Sequence, residues 1–507
     1  MMAVYMYLLS AVFACYVALL YIRWRRLRLY WNQRGVPSHP PLPLLGNVHL
    51  LQRYNATILL KRAHSLYKSP YVGIWLFCKP ALVVNCPQAA HRILVKDAAN
   101  FKQRFVRSPV NDAVGSKNIF TLKEPYWSML RRKLSSLFTS TKIKNLYGVI
   151  KCKTNDLVLR INGDMSEKNQ VNLKQLFSDY TTDIIGAVTL GAEGHATLTG
   201  ESVLRKFTLV LLKFDLLRKL TWIVLFFDAN IIDNYLWFLK AKAFPNSTIA
   251  FFRKIYRSVL NSKGGYEAKI TNPHSLLDTL RKLKQDHVLK NMEISEDMII
   301  AQLIIFLQAG FDTTANALTF CMYELAFDQR IQDKLYKEVS EARPLTGDDY
   351  LYRNEISNLS YLDSVINETL RKYSQLGWID RMAAGSYQVD ENLTIPAGTP
   401  VLVNSIGMRY DPLVYPEPDK FIPERFLTDD GPVKKSIGFL PFGAGPRNCI
   451  GQRFALLNLR HAIASVILKY KLQPLPDSEP PSESLIARQG LFFTPEKQLY
   501  VQFLPRK

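Results

Sequence analysis

The chain has 507 residues, 48% hydrophobic and 12% aromatic, enough to bury a large core in one domain or several. Its six cysteines, at 15, 78, 86, 152, 321 and 449, form neither a C-x-x-C pair nor a dense framework, which argues against a disulfide scaffold or a structural zinc site. With 65 basic against 43 acidic side chains the formal charge is +22, which suits an anionic membrane surface or an acidic protein partner; no basic run or finger pattern supports nucleic acid.

Residues 3–22 form an apolar run of about twenty residues, enough to span a bilayer, followed at once by Arg23, Arg25, Arg26 and Arg28. The positive-inside rule puts these arginines in the cytosol. A cleaved signal peptide would carry its charge before the apolar run, so an uncleaved anchor over residues 1–22 is predicted. Residues 23–46, basic and then Pro-rich, predict a stiff extended linker outside any core, ahead of one large domain over 47–507. V-G-I-W-L-F and A-L-V-V-N-C read as strands joined by a Lys-Pro turn. Residues 101–122 read as a loop, and P-Y-W-S-M-L-R-R-K-L-S-S-L-F as a helix with Trp127 and Arg131 on one face.

Residues 203–258 are aromatic and mostly helical in pattern. Asp228, Asp233 and Asn234 make a second membrane span costly there, so a roof dipping into the interface is predicted. Residues 261–294 read as polar with a connecting loop. From Ser295, a plausible N-cap, a helix of over thirty residues without proline should cross the core. Ile305, Gln308, Ala309, Asp312 and Thr313 share one of its faces. Polar groups in so apolar a helix are costly unless used; the bland alternative is a satisfied network, with Thr313 bonding back to the i−4 carbonyl. Glu368 and Arg371 lie three apart on a further helix, a weak signal alone. The stretch G-L-F-F-T-P-E-K-Q-L-Y-V-Q-F alternates like a closing hairpin. Four N-x-S/T sequons occur, at Asn55, Asn246, Asn367 and Asn392; Asn367 adjoins Glu368, so modification there is disfavoured, in line with a cytosolic face.

The most informative stretch is Phe442–Gly451, F-G-A-G-P-R-N-C-I-G, ahead of a helical pattern. Gly443, Gly445 and Gly451 allow close backbone approach, Arg447 supplies a permanent cation suited to a carboxylate, and Cys449 sits at a helix N-terminus that favours a thiolate. A lone thiolate so placed suggests an axial haem ligand. The spacing of Phe442, Gly445, Arg447, Cys449 and Gly451 resembles the haem-binding loop of the cytochrome P-450 family. The string A-G-F-D-T-T, the W-x-x-x-R of Trp127 and Arg131, the E-x-x-R of Glu368 and Arg371 and the F-x-P-E-R-F that holds Arg425 follow the same family's order, and the resemblance is to microsomal members of the insect detoxification and hormone-processing type.

The resemblance implies a mainly α fold with a small β-rich part, holding haem b through the Cys449 thiolate. It assigns the propionates to Arg104, Trp127, Arg131, Arg381 and Arg447, a structural lock under the haem to Glu368, Arg371 and Arg425, and proton delivery to Asp312 and Thr313. It places Ile119, Phe120, Ile305, Gln308, Ala309, Leu376, Trp378 and Phe492 at a pocket for a bulky lipophilic substrate. Ser374 and Gln375 stand where the family usually has a proline pair. The implied reaction is monooxygenation with O2 and electrons from NADPH through NADPH–cytochrome P-450 reductase, with cytochrome b5 as a second donor, at the endoplasmic reticulum membrane. The rivals are an O2-independent rearrangement or dehydration on the same fold, and a non-catalytic lipophile binder.

Overall fold

The computed structural model describes every residue except 1, 214, 263, 266–269, 271, 272, 274, 286–293, 343–355, 428–436 and 507. Helix α1 spans Met2–Leu29 and runs on through Arg23–Arg28, because no glycine or proline interrupts the chain before Gly35. It is long and apolar enough to cross a bilayer, and none of its apolar stretch is buried. The segment predicted as a free linker is instead seated on a sheet. Trp31 is fully buried and donates from Nε1 to the Ile74 carbonyl at 3.1 Å, while Trp75 Nε1 donates back to the Leu27 carbonyl at 3.1 Å. Gly73 leaves room for that indole: a Cβ there would lie 2.2 Å from Trp31 Cγ. Within the Pro-rich part, Pro40 and residues 42–45 stand exposed.

That sheet contains β1 (Tyr71–Leu76), β2 (Lys79–Val84), β4 (Ile379–Met382) and β7 (Pro400–Val403), in the order β1-β2-β7-β4. Strands β2 and β7 are parallel and the other pairs antiparallel. The first hairpin turns at Phe77–Cys78, with Phe77 at φ 54°; Lys79 and Pro80 already belong to β2, correcting the expected Lys-Pro turn. A second sheet joins β3 (Val171–Asn172), β9 (Tyr500–Pro505) and β8 (Tyr470–Pro474). Since β9 pairs with β3 and β8, the expected closing hairpin does not form; residues 490–499 make one isolated bridge, Ile486 to Pro495. Strands β5 (Tyr387–Gln388) and β6 (Thr394–Ile395) form a small ribbon.

Helices dominate the rest. After α2 (Ala56–Tyr67) come α3 (Tyr126–Ser135), α4 (Tyr147–Lys168) and α5 (Leu173–Leu190). The aromatic stretch then breaks into α6 (Val203–Leu212), α7 (Leu216–Asp228), α8 (Asn230–Tyr235) and α9 (Asn246–Ser262). Acids in this stretch, among them the Asp228 and Asp233 that argued against a membrane span, make its turns. Asp215 caps α7 by accepting from Arg218 N, Asp228 accepts from Asn230 N, and Asp233 accepts from Val110 N. Leu216, Leu217, Leu220, Tyr235, Trp237 and Phe238 remain exposed around these turns. The polar stretch 261–294, expected to include a connecting loop, contains α10 (Leu276–Gln285), whose leucines at 276, 277, 280 and 283 are buried.

Helix α11 (Glu296–Phe327) starts where expected, with Ser295 Oγ accepting from Met298 N, and crosses the core. It lies so close to α5 that a Cβ on Gly310 would sit 2.5 Å from Ile185. Thr181 on α5 donates to the Phe311 carbonyl at 2.9 Å. After α12 (Gln329–Glu341), α13 (Ser360–Tyr373) and α14 (Gln452–Lys469) complete the frame. Phe138 joins α11 to α14, stacking on Phe306 at 5.9 Å and meeting Phe454 edge-on at 6.3 Å.

Candidate active site

The cysteine loop is shaped by two glycines at positive φ. Gly443 (φ 71°) donates to the Leu440 carbonyl, and Gly445 (φ 72°) passes so near the segment Arg92–Lys96 that a Cβ would lie 1.8 Å from the Leu94 carbonyl oxygen. Cys449 N donates to the Phe442 carbonyl at 2.8 Å, folding the loop over itself, and Gly451 caps α14. A Cβ on Gly451 would meet no protein atom within 4 Å, so packing alone does not demand glycine there. Cys449 is accessible at its surface, yet protein crowds it enough that burial pushes its thiol pKa up; the Gly451 amide and then the Arg131 guanidinium act in the opposite direction. The helix terminus alone therefore does not make the thiolate expected from the sequence, whereas a coordinating metal ion deprotonates a thiol outright.

Four arginines from separate elements meet beside this loop. Arg447 rests on the Trp127 ring at 3.8 Å and spends Nε and Nη2 on the Lys102 and Leu122 carbonyls. Arg381, on β4, donates to the carbonyls of Asp380 and Ala444. Arg131 donates to Asn448 Oδ1 at 2.9 Å. Arg104 pairs with Asp380 at 3.4 Å and covers Phe120 at 4.2 Å. Burial, then Arg104 and Arg381, push the Arg447 pKa down to about 9; burial, then Arg104, push Arg381 down to about 10. Arg447 Nη1 and Arg104 Nε are buried without a hydrogen-bond partner among the described residues. Such a cluster of mutually repelling cations with orphaned donors fits a group bringing its own carboxylates, as the propionates of haem do. Trp127 thus serves Arg447, and Arg131 serves the cysteine loop.

On the other side, α11 is buried along most of its length, but its middle opens: Ala309 and Thr313 are exposed, and Ile305 and Gln308 are half-buried. Thr313 Oγ1 donates back to the Ala309 carbonyl at 2.7 Å, the geometry of the bland alternative. Asp312 turns the other way, into the protein. Lys174 Nζ donates to its Oδ1 at 2.7 Å and Gln375 Nε2 to its Oδ2 at 2.9 Å. It is therefore held by protein rather than by solvent, with Lys174 and Gln375 as partners that the sequence reading did not assign. Lys174 carried no signal, being an ordinary lysine in a helix's first turn; Gln375 showed only as a departure from the family pattern.

The residues expected at the substrate pocket join an aromatic cluster. Phe120 and Phe492 flank Phe226 at 6.3 and 5.7 Å, and Trp222 stacks on Phe226 at 5.6 Å. Ile119 N donates to Gln302 Oε1 at 2.9 Å, fastening this loop to α11. Leu376 is half-buried, but Trp378 is only 1% exposed and stacks behind Phe227 at 6.1 Å, so it backs the wall rather than lining it. Trp222, Phe226 and Phe227, which pack against expected pocket residues, were not singled out because a helical aromatic run gives no inward direction before its turns are known. Asn55, one of the four sequons, is fully buried, caps α2 and donates to the Phe492 carbonyl at 2.9 Å.

Beneath the cysteine loop, Glu368 and Arg371 form a fully buried bidentate pair at 2.7 and 2.8 Å. Burial opposes the Arg371 charge, but the hydrogen bonds and charge of Glu368 outweigh it and raise its pKa. Glu368 Oε1 also accepts from Ile422 N at 2.8 Å and meets Arg425 at 3.4 Å. Arg409, absent from the sequence reading, is also buried and donates to the Leu370 and Ser405 carbonyls.

A family model described as Cytochrome P450 matches residues 36–503. The chain is 29% identical to "Cytochrome P450 6k1" of Blattella germanica, over 90% of this chain and 89% of that protein. It is 31% identical to "Probable cytochrome P450 6a18" of Drosophila melanogaster (92% and 93% covered) and 32% identical to "Cytochrome P450 3A31" of Mesocricetus auratus (94% and 92%). The likeness extends beyond the cysteine loop to nearly the entire chain. The protein therefore belongs to the cytochrome P450 family of haem monooxygenases.

Proposed function

We propose that the protein oxidises a bulky lipophilic substrate, foreign or endogenous, by hydroxylation or epoxidation. It does so at the endoplasmic reticulum membrane, with α1 as anchor and the remainder in the cytosol. NADPH–cytochrome P450 reductase supplies the electrons, drawn by the excess positive charge, and cytochrome b5 serves as a second donor. The observation that carries this reading is the convergence of Arg104, Arg131, Arg381 and Arg447 on the Cys449 loop, with orphaned donors on Arg104 and Arg447. When bound, haem supplies oxygen activation and insertion.

The chain's own residues do the rest. Cys449 would ligate the haem iron, and Arg104, Trp127, Arg131, Arg381 and Arg447 would hold the propionates. The aromatic wall keeps water out and orients the substrate. Thr313, once turned from the Ala309 carbonyl, presents a hydroxyl proton to the open middle of α11, and Asp312 resupplies it. Reduced protein with CO should absorb at the thiolate-specific position, and NADPH with the reductase should yield oxidised product from a lipophile panel. Retention of that band in Cys449→Ala would refute the ligand assignment. Product formed without NADPH would favour rearrangement chemistry.

A further inference from the structure

Asp312 closes a ring of four side chains. Lys174 Nζ donates both to Asp312 Oδ1 at 2.7 Å and to Asn316 Oδ1 at 2.6 Å. Asn316 Nδ2 donates to Gln375 Oε1, and Gln375 Nε2 to Asp312 Oδ2, each at 2.9 Å. The ring joins the start of α5, the middle of α11 and the connection from α13 to β4. Its members are unequal. The bond from Lys174 is charge-assisted at both ends, whereas Gln375 is a neutral donor, so Oδ2 is the oxygen released first. Gln375 also has a second attachment: its backbone carbonyl accepts from Phe493 N at 2.9 Å. The preceding residue, Phe492, faces Phe226 across the pocket, and its carbonyl is held by Asn55. A displacement of Phe492 by a bound molecule thus reaches Asp312 through a single residue.

We propose that Gln375 is a positioning residue that ties the pocket loop at Phe492–Phe493 to the Asp312 carboxylate, keeping Oδ2 turned away from the Thr313 side until that loop moves. The inference rests on the proton-delivery reading of Asp312 and deepens it. Without substrate, both members of the pair are parked, Thr313 on the Ala309 carbonyl and Asp312 in the ring. Gln375 then suppresses wasteful turnover, in which O2 + NADPH + H⁺ gives H2O2 + NADP⁺.

The test is Gln375→Leu, which keeps a side chain of similar size without the amide, alongside Gln375→Glu, which sets a second carboxylate against Asp312. Substrate-free NADPH oxidation and peroxide formation with the reductase should rise severalfold in both variants, at unchanged haem content and reduced-CO spectrum. Unchanged rates in folded, haem-loaded variants would overturn the proposal. A purely structural role would lower the unfolding temperature and leave those rates alone. A stability cycle of Gln375→Leu with Asp312→Asn decides the ring independently of turnover: the losses should be less than additive, and additivity would overturn the proposal. If the parent protein oxidised no NADPH at all, the monooxygenase reading would fall, and the cycle would still report on the ring.

Discussion

Replacing Gly445 by alanine tests whether the cysteine loop is shaped by the protein itself. Two costs arise there and only one at Gly443. Both residues lie at positive φ, near 71°, where an L side chain costs roughly 1–2 kcal/mol. At Gly443 the nearest atom to a new Cβ is 3.8 Å away, an ordinary contact, so that cost stands alone. At Gly445 the new Cβ would lie 1.8 Å from the Leu94 carbonyl oxygen and 2.9 Å from its carbon. Backbone must withdraw, and such overpacking adds typically ~1–3 kcal/mol or more. The expected loss is therefore roughly 1–2 kcal/mol for Gly443→Ala and ~2–5 kcal/mol for Gly445→Ala. Because Arg447 and Cys449 follow within the same loop, Gly445→Ala should also retain far less haem per chain. Urea unfolding and haem quantitation on both variants provide the measurement. Equal losses in the two would refute the argument that close approach to Leu94 dictates the glycine.

Glu368→Gln should cost about 3–5 kcal/mol, because it leaves Arg371 and Arg425 buried against a neutral amide; a loss below 1 kcal/mol in urea unfolding would show that the lock is dispensable. His461 is 1% exposed and meets Tyr147 edge-on, and burial, then Arg460, push its pKa down to about 3. The unfolded chain, with an imidazole pKa of about 6.5, takes up a proton that the folded state refuses. The stability from this group is complete above that pKa and is lost as pH falls from it toward 3. At pH 5.5 the loss should be about 1.3 kcal/mol relative to pH 7. His461→Gln should remove that increment; the same acid loss in parent and variant would exclude His461 as its source.

What could be read from the sequence depended on how local the determining physics is. The cysteine loop, the Ser295 cap and the E-x-x-R pair are set by residues a few positions apart, and their chemistry shows in the string. Other features depend on long-range packing. Lys174 reaches Asp312 only because Gly310 lets α5 settle on α11. The terminal alternation looked like a hairpin, but β9 found better partners in β3 and β8. Within the stretch read as polar with a connecting loop, the helix at residues 276–285 was not singled out, because lysine and arginine masked its four leucines. Trp31 lay beside a Pro-rich stretch, and nothing nearby in sequence shows that Gly73 leaves space for its ring.

The seat of Trp31 alters where the apolar N-terminal helix ends and the folded domain begins. Helix α1 carries its last turns directly into the sheet through the paired indoles of Trp31 and Trp75, so anchor and enzyme share a rigid joint rather than a tether. Around α7 and α8, exposed leucines and aromatics form a further apolar surface on the same domain. Engineering a soluble form should respect that joint. Truncation after Ile22 leaves the clamp intact, whereas truncation at the Pro-rich segment removes Trp31 and opens a void the size of an indole against Gly73.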